Sequence, residues 1–376
     1  MAGFYVHVPY CRQVCYYCDF HFRAALKDKP EMLMAMRKEM GLRKDYLSSP
    51  VVHTLYFGGG TPSALSIADL SALLDTFHRR YSLSSGAEVT LEANPDDLTG
   101  EYLSGLRGLG FNRLSIGIQS FDDNCLRWMN RRHTAQEAIR AVKKAQDNGF
   151  DNINIDLIYG IPAMSVSQWE RHLKTALSLD VPHLSTYHLT IESRTVFGKR
   201  KNRGEDFSVP ERESVAQFDL LSNICEKAGY EHYEISNFAR PGLYSRHNTA
   251  YWRQIPYIGI GPSAHSYDGT SRQWNVSHNA QYIEQLLHGH EKWYEREILT
   301  VSESYNDYVL TSLRTMWGTD AAVVHKKFGK TFAEYFVRKA APYLRQGYMN
   351  EQTAVYTLSH KGKLIADRIA SDLFVV

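Results

Sequence analysis

Cysteine is scarce in this sequence, and long apolar runs are missing from it. Only five of the 376 residues are cysteine, and an odd number argues against a disulfide framework and towards metal or redox chemistry. No run of apolar residues approaches the ~20 that are needed to span a bilayer. The first thirty positions also lack the basic-then-apolar order of a signal peptide, so we expect a cytoplasmic protein.

A strong net charge of either sign is also missing. Lysine and arginine total 43 and aspartate and glutamate total 41, which gives a formal net charge of +2 with histidine neutral. This balance does not favour a nucleic-acid-binding protein. With 43% hydrophobic residues, the composition is that of a soluble globular protein. The length suggests one large domain and a smaller one.

Six short β-rich runs are spaced along the first half of the chain, and each is followed by a turn and a segment of helical period. Repeated strand and helix units predict an α/β fold with a parallel sheet. We favour a partial (βα)6 TIM-like barrel, with a doubly wound open sheet as the competing architecture. The six predicted strands span residues 4–10, 52–58, 88–94, 113–119, 153–160 and 183–191.

Helix starts between these strands are marked by capping boxes, in which a serine or threonine is followed three residues later by an acidic residue or a glutamine. The pairs are Ser66 with Asp69, Thr134 with Glu137, and Ser165 with Gln168. In a barrel of this kind the chemistry is expected at the carboxyl ends of the strands. We therefore expect the region that follows the first strand to form part of a site.

The last part of the chain has a different pattern. Amphipathic segments near residues 303–316 and 331–345 flank a shorter helical stretch, and a predicted hairpin and a final helix follow. This order resembles a small winged-helix-like α+β domain, but its mixed charges favour a packing or lid role over DNA binding. We predict three regions: a core at 1–230, an extension at 231–300 and this C-terminal domain at 301–376.

Cys11, Cys15 and Cys18 stand together in the stretch CRQVCYYCDF, directly after the first predicted strand. A structural zinc site needs four ligands, and His21 as the fourth would give a C-x3-C-x2-C-x2-H spacing that is irregular for such a site. A [4Fe–4S] cluster that is held by three thiolates leaves one iron open to a small molecule with an amine and a carboxylate. The C-x3-C-x2-C spacing, with an aromatic residue before the last cysteine, is the signature of the radical S-adenosylmethionine (SAM) superfamily.

Other polar features follow or lie within the later strands. The GGGTP run at 58–62 allows a ligand to approach the backbone closely, although a tight turn would need the same glycines. Glu92 and Asp156 lie within the third and fifth strands, where an unpaired buried charge is costly, so we expect them to face a polar site or a cation. Arg131 can pair with a carboxylate of the protein or of SAM.

The resemblance to a known family is carried by five stretches in roughly the first 270 residues: YVHVPYCRQVCYYCDF, YFGGGTPS, LEANPD, RLSIGIQSF and INIDLIYGIP. They are similar to the radical SAM family that contains oxygen-independent coproporphyrinogen III dehydrogenase and its haem-chaperone relatives. The tail, with LSHKGKLIADRI, resembles that family's C-terminal domain. The resemblance implies that the three cysteines above ligate a [4Fe–4S] cluster. It places the following residues around SAM: Tyr5, Tyr17, Gly59, Gly60, Thr61, Glu92, Gln119, Arg131 and Asp156.

Two departures favour the chaperone branch of that family. The dehydrogenase carries a further cysteine two residues after the third, whereas this chain has Phe20 there. The dehydrogenase also has an extension before its first strand, and here the first predicted strand begins at residue 4.

The stretch RHNTAYW at 246–252 supports the same branch, because it fits the H-N-x-x-Y-W motif that the resemblance associates with haem binding. His247 offers an imidazole for haem iron, and the aromatic residues of the motif offer flat apolar surface for a porphyrin. Two roles for His247 remain open, which are direct ligation of the iron and shaping of the pocket.

The resemblance therefore implies a haem chaperone with a [4Fe–4S] cluster and SAM, which binds haem and transfers it to an acceptor protein such as one of a respiratory chain. Peripheral membrane contact is compatible with such an acceptor, although no anchor is encoded. The rival is the dehydrogenase reaction, in which SAM yields a radical that abstracts a hydrogen from a propionate side chain of coproporphyrinogen III before decarboxylation. A third hypothesis is a zinc-stabilised module that binds DNA through its C-terminal domain.

Overall fold

The computed structural model describes residues 1–24, 26–289 and 292–375. Six parallel strands pair in chain order, each with the next, and form the first half of the molecule. The predicted partial (βα)6 barrel is therefore confirmed. These strands are β1 (Gly3–Val8), β2 (Val51–Gly59), β3 (Ser82–Ala93), β4 (Arg113–Gln119), β5 (Asn152–Tyr159) and β6 (His183–His188).

Helices connect successive strands and cover the outer face of the sheet. All three predicted capping boxes are present. In each, the side chain of the capping serine or threonine accepts a hydrogen bond from the backbone N–H three residues later, and the side chain of that later residue accepts one from the backbone N–H of the capping residue. The helices are α1 (Lys29–Leu42), α2 (Ile67–His78), α3 (Gly100–Gly108), α4 (Asp123–Trp128), α5 (Ala135–Asp147), α6 (Val166–Ser178), α7 (Val196–Lys201) and α8 (Glu211–Lys227), with 3-10 turns at Pro62–Ala64 and Pro95–Asp97.

The next segment extends this sheet at both of its edges. Strand β8 pairs antiparallel with β6, and β9 pairs parallel with β1, so the sheet reads β12-β11-β10-β9-β1-β2-β3-β4-β5-β6-β8-β7. The predicted boundary at residue 230 stays a prediction. The elements are β7 (Glu231–Glu234), β8 (Asn237–Ala239), α9 (Arg246–Trp252), β9 (Tyr257–Ile260), β10 (His265–Tyr267), β11 (Ser271–Asn275), α10 (Asn279–Leu287) and β12 (Tyr294–Ile298).

The C-terminal part has its own hydrophobic core, which contains Tyr305, Val309, Phe336 and Ile369. Its helices surround a three-stranded antiparallel sheet with the order β13-β15-β14, so the predicted helices, hairpin and final helix are confirmed. The elements are α11 (Val301–Leu313), β13 (Thr319–Asp320), α12 (Ala321–Phe328), α13 (Lys330–Arg345), β14 (Met349–Gln352), β15 (Val355–Leu358), α14 (His360–Lys363) and α15 (Ala366–Asp372). Across the described residues, no helix is long and apolar enough to cross a membrane.

The two faces of the parallel sheet differ in chemistry, because successive side chains of a strand point to opposite sides. On the helix-covered face, Phe4 packs edge-on against Phe77 of α2 with ring centroids 4.9 Å apart. On the inner face, the hydroxyl of Tyr56 donates to Glu92 at 2.7 Å. The barrel interior is therefore polar, and its half-buried carboxylates are available to a ligand.

Candidate functional site

A cavity of about 130 Å³ lies at the carboxyl ends of β1 to β5. Eleven of the thirteen residues predicted for the site line it: Cys11, Cys15, Cys18, Tyr17, Gly59, Gly60, Thr61, Glu92, Gln119, Arg131 and Asp156. The other two, Tyr5 and His247, do not line it. The barrel topology therefore brings residues from five separate βα units to one place.

The three cysteines lie in the loop that follows β1. The hydroxyl of Thr61 donates to the sulfur of Cys11 at 3.3 Å, and a guanidinium nitrogen of Arg131 lies 3.3 Å from the sulfur of Cys15. Burial raises the pKa of the Cys11 thiol to about 12 and that of Cys18 to about 11. Without a cation between them these two thiols keep their protons at neutral pH, whereas a bound metal centre would favour the thiolates.

Two amides that the sequence did not suggest hold this loop. The side chain of Gln13 donates to the carbonyl of Asn130 at 2.8 Å, and the side chain of Asn130 donates to the carbonyl of Val14 at 2.7 Å. Asn130 has φ of 59°, in the left-handed region that asparagine tolerates better than most residues. The only signal for Asn130 in the sequence is the tolerance of asparagine for left-handed backbone, and this can be interpreted only once the turn is known.

The glycine turn after β2 fits closely against the cysteine loop. Gly59 has φ of +110°, and a Cβ at Gly60 would lie 2.7 Å from the carbonyl oxygen of Tyr10. The backbone N–H of Thr61 donates to that same carbonyl at 2.7 Å. The glycines are thus required by the approach of two backbones and by the turn itself, and the backbone of Gly59 and Gly60 also borders the cavity.

Glu92 and Asp156 are half-buried carboxylates on the cavity wall. Glu92 accepts from the hydroxyl of Tyr56 at 2.7 Å and from the N–H of Gly59 at 3.2 Å, and Asp156 accepts from the amide of Asn154 at 2.7 Å. All of these donors are neutral. Burial raises the pKa of Glu92 to about 7 and that of Asp156 to about 6. The wall is therefore suited to a ligand that brings a cation or several hydroxyl donors.

Arg131 links the cysteine loop to the ends of β3 and β4. Its guanidinium donates to the carbonyl of Gly117 at 2.6 Å and to the side chain of Asn94 at 2.7 Å, besides the contact with Cys15. Its Nε is buried without a hydrogen-bond partner in the described part of the chain. Asn94 also lines the cavity and was not among the predicted ligands.

His247 and Tyr5 lie together deeper in the barrel. His247 is 1% exposed, and its ring is stacked on that of Tyr56 with centroids 4.9 Å apart. The ring of Tyr5 lies 6.2 Å from that of His247, and the hydroxyl of Tyr5 bonds to His7 at 3.1 Å. Tyr56 therefore lies between the two groups of predicted residues, with its hydroxyl on Glu92 and its ring on His247.

The donor set of the cavity can be compared with what a metal ion or a cluster requires. Within the described ranges, no three His, Cys, Asp or Glu side chains converge as a single metal ion requires. A cluster contacts each thiolate through a different iron, so it needs only that the three thiols surround one space. Three thiols line the same cavity as two half-buried carboxylates whose hydrogen-bond donors are neutral, and this set fits a [4Fe–4S] cluster with a cationic ligand such as SAM.

Phe20 stands at the rim of this cavity and is 73% exposed. A phenyl ring cannot ligate iron, and it presents apolar surface at the cavity mouth. Phe20, which distinguishes the chaperone branch from the dehydrogenase branch, therefore lies next to the loop that is predicted to hold the cluster.

Residues 5–176 match the protein-family model described as the radical SAM superfamily. Among curated proteins, the chain is 34% identical over 373 residues to the Heme chaperone HemW of Bacillus subtilis (strain 168), with 98% of each chain covered. It is 38% identical over 264 residues to the Heme chaperone HemW of Escherichia coli (strain K12), with 69% of this chain and 68% of that one covered.

Among solved structures, the fold matches coproporphyrinogen III oxidase (HemN) from Escherichia coli, which is described as a radical SAM enzyme. The TM-score is 0.86, and 100% of this chain and 90% of that chain are covered. The sequence identity is 24%, so this match shows the shared fold.

Proposed function

The chain belongs to the HemW family within the radical SAM superfamily, and from that premise we propose that it is a haem chaperone, which binds haem and passes it to an acceptor protein. The observation that carries this proposal is the similarity to curated haem chaperones over 98% of both chains. The acceptor is a haem protein reached from the cytoplasm, for example one of a respiratory chain. Haem is cargo in this scheme.

We propose that Cys11, Cys15 and Cys18 hold a [4Fe–4S] cluster, which when bound supplies one-electron chemistry and one iron that is open to SAM. Arg131 donates a hydrogen bond to the sulfur of Cys15. Thr61 does the same for Cys11 through its hydroxyl. The protein thus supplies neutral and cationic donors to sulfur before any ligand binds.

The opposite wall would hold SAM. Glu92 and Asp156 accept hydrogen bonds from its ammonium or its ribose hydroxyls, and the backbone of Gly59 and Gly60 leaves room for the methionine end. Gln119 has φ of 69° and lines the same wall, where a polar side chain can bond to the ligand. Tyr17 lines the loop side of the cavity. The raised pKa values of the two carboxylates support this assignment, because a cationic ligand would offset their cost of burial.

The second candidate is the oxidative decarboxylation of coproporphyrinogen III. The match to HemN concerns the fold and not the chemistry. Phe20 stands where the resemblance places a cysteine in the dehydrogenase, and it is 73% exposed at the cavity rim. We therefore place this reaction second.

The proposed function is tested by anaerobic purification, cluster reconstitution and haem titration followed by the Soret band. A turnover assay with coproporphyrinogen III, SAM and a reductant runs in parallel. We expect stoichiometric haem binding and no turnover. Turnover to protoporphyrinogen without stable haem binding would overturn the chaperone proposal and favour the dehydrogenase.

A further inference from the structure

A second cavity lies at the opposite end of the barrel, below the amino ends of β1 and β2. Its volume is about 270 Å³, compared with about 130 Å³ for the cavity at the cysteine loop. We call it the basal cavity, and it is bordered by Thr54, Tyr244, Arg246, Thr249, Arg253 and Trp317. Two of these residues lie on α9, the helix that carries the H-N-x-x-Y-W motif, and none of them was predicted to belong to a site.

The walls of the basal cavity combine aromatic surface with cationic groups. Tyr244 and Trp317 contact each other edge-on, with ring centroids 5.6 Å apart. Arg253 lies 4.4 Å from the centroid of the Trp317 ring, and Arg246 is exposed at the rim. A flat apolar ligand with two carboxylates would place its ring against the aromatic wall and its carboxylates near the two guanidinium groups. Haem has that chemistry.

His247 lies behind the wall of this cavity and does not line it. Its Nδ1 bonds to the hydroxyl of Thr54 at 2.8 Å and its Nε2 to the hydroxyl of Tyr251 at 2.7 Å, so both ring nitrogens are occupied. Its backbone N–H donates to the buried carboxylate of Glu88 at 3.0 Å. These bonds fix α9 against the barrel, with Arg246 and Thr249 on the cavity side.

We propose that the basal cavity is the haem-docking site, with Arg246 and Arg253 pairing the two propionates, and that His247 is a positioning residue of α9 rather than the iron ligand. This proposal rests on the proposed haem-chaperone function. It separates the haem site from the cysteine-loop cavity by the length of the barrel, so that cargo and SAM would occupy opposite ends.

The test compares haem with its dimethyl ester, which lacks both carboxylates, in the full-length protein. The double variant Arg246→Gln/Arg253→Gln is matched with Arg203→Gln/Arg212→Gln, which removes the same charge from exposed positions. We expect wild type and the control pair to prefer haem over the ester. The Arg246→Gln/Arg253→Gln variant should bind haem about tenfold more weakly and lose the preference for haem over the ester. Its binding of the ester should stay unchanged.

If wild type binds haem and the Arg246→Gln/Arg253→Gln variant still prefers haem over the ester as strongly, haem docking in the basal cavity is refuted while the chaperone function stands. If wild type binds no haem, the proposed function itself fails. A cavity-filling Ala250→Trp variant gives a second measure that does not depend on charge, with haem and ester binding both expected to fall.

The role of His247 is tested with His247→Gln, whose amide can bond to both Thr54 and Tyr251. As a positioning residue, it should leave the electron paramagnetic resonance spectrum of bound ferric haem as in wild type, and His247→Ala should weaken binding more than His247→Gln. A spectrum that changes its axial-ligand signature in His247→Gln would overturn this assignment.

Discussion

Replacement of Glu92 by glutamine should change how the stability of the ligand-free protein depends on pH. Burial raises the pKa of this carboxyl from 4.5 to about 7 in the folded protein. The folded state therefore binds a proton more tightly than the unfolded chain does. This contribution to stability is fully present below pH 4.5 and is lost as the pH rises through about 7.

The size of the effect follows from the same two values. The difference between 4.5 and about 7 corresponds to ~3 kcal/mol of unfolding free energy. An unfolding entropy of ~0.8 kcal/mol/K for a chain of this length converts that loss to about 4 °C in Tm. Because glutamine carries no charge, the Tm of Glu92→Gln minus that of wild type should rise by about 3 °C between pH 5 and pH 8, since roughly a quarter of the loss already falls below pH 5.

The assay is thermal unfolding across this pH range in a background with all three loop cysteines replaced by serine, so that no iron–sulfur centre contributes. Glu284→Gln, an exposed carboxylate on α10, serves as the matched control and should follow wild type at every pH. A Glu92→Gln difference that stays constant from pH 5 to pH 8 would refute the argument that the folded protein raises the pKa of this carboxyl.

Three further outcomes follow from local contacts. Cys11→Ser should lower the iron bound after reconstitution, measured by iron analysis and visible absorption, whereas Cys125→Ser should match wild type; equal iron in both would remove the loop thiol from the cluster. Gly60→Ala would place a Cβ 2.7 Å from a backbone carbonyl oxygen, so we expect a loss of about 1–3 kcal/mol in denaturant unfolding, and an unchanged midpoint would show that the turn can open. Glu39→Ala leaves the buried Arg43 without its ion pair at 3.2 Å, which should cost about 3–5 kcal/mol; a loss below 1 kcal/mol would contradict this contact.

The fold and the three-cysteine loop could be predicted from local patterns. Capping boxes, strand composition and glycine turns are decided by neighbouring residues, which is why the helix starts at Ser66, Thr134 and Ser165 are confirmed. The cysteine spacing likewise lies in one short loop. The residues predicted to surround SAM came from the family resemblance. All of them except Tyr5 line the same cavity, and their roles remain predictions.

The supporting residues could not be predicted in the same way, because their partners are distant in the chain. Asn130 contacts Val14 across 116 positions, and His247 contacts Thr54 across 193. No local pattern distinguishes such an asparagine or histidine from one on the surface. The sequence offered His247 either as an iron ligand or as a residue that shapes the pocket, and only its surroundings favour the second role.

The sequence by itself determined the order of strands and helices, the three-cysteine loop and the family to which the chain is similar, since each depends on short-range preferences or on a contiguous motif. Tertiary structure decided which side chains share a cavity. It placed Glu92 and His247 on either side of Tyr56, and it placed Arg246 and Thr249 on a cavity at the far end of the barrel. The physical reason is that strand pairing sets which face and which end of the sheet each residue occupies, and burial then sets its charge and its available partners.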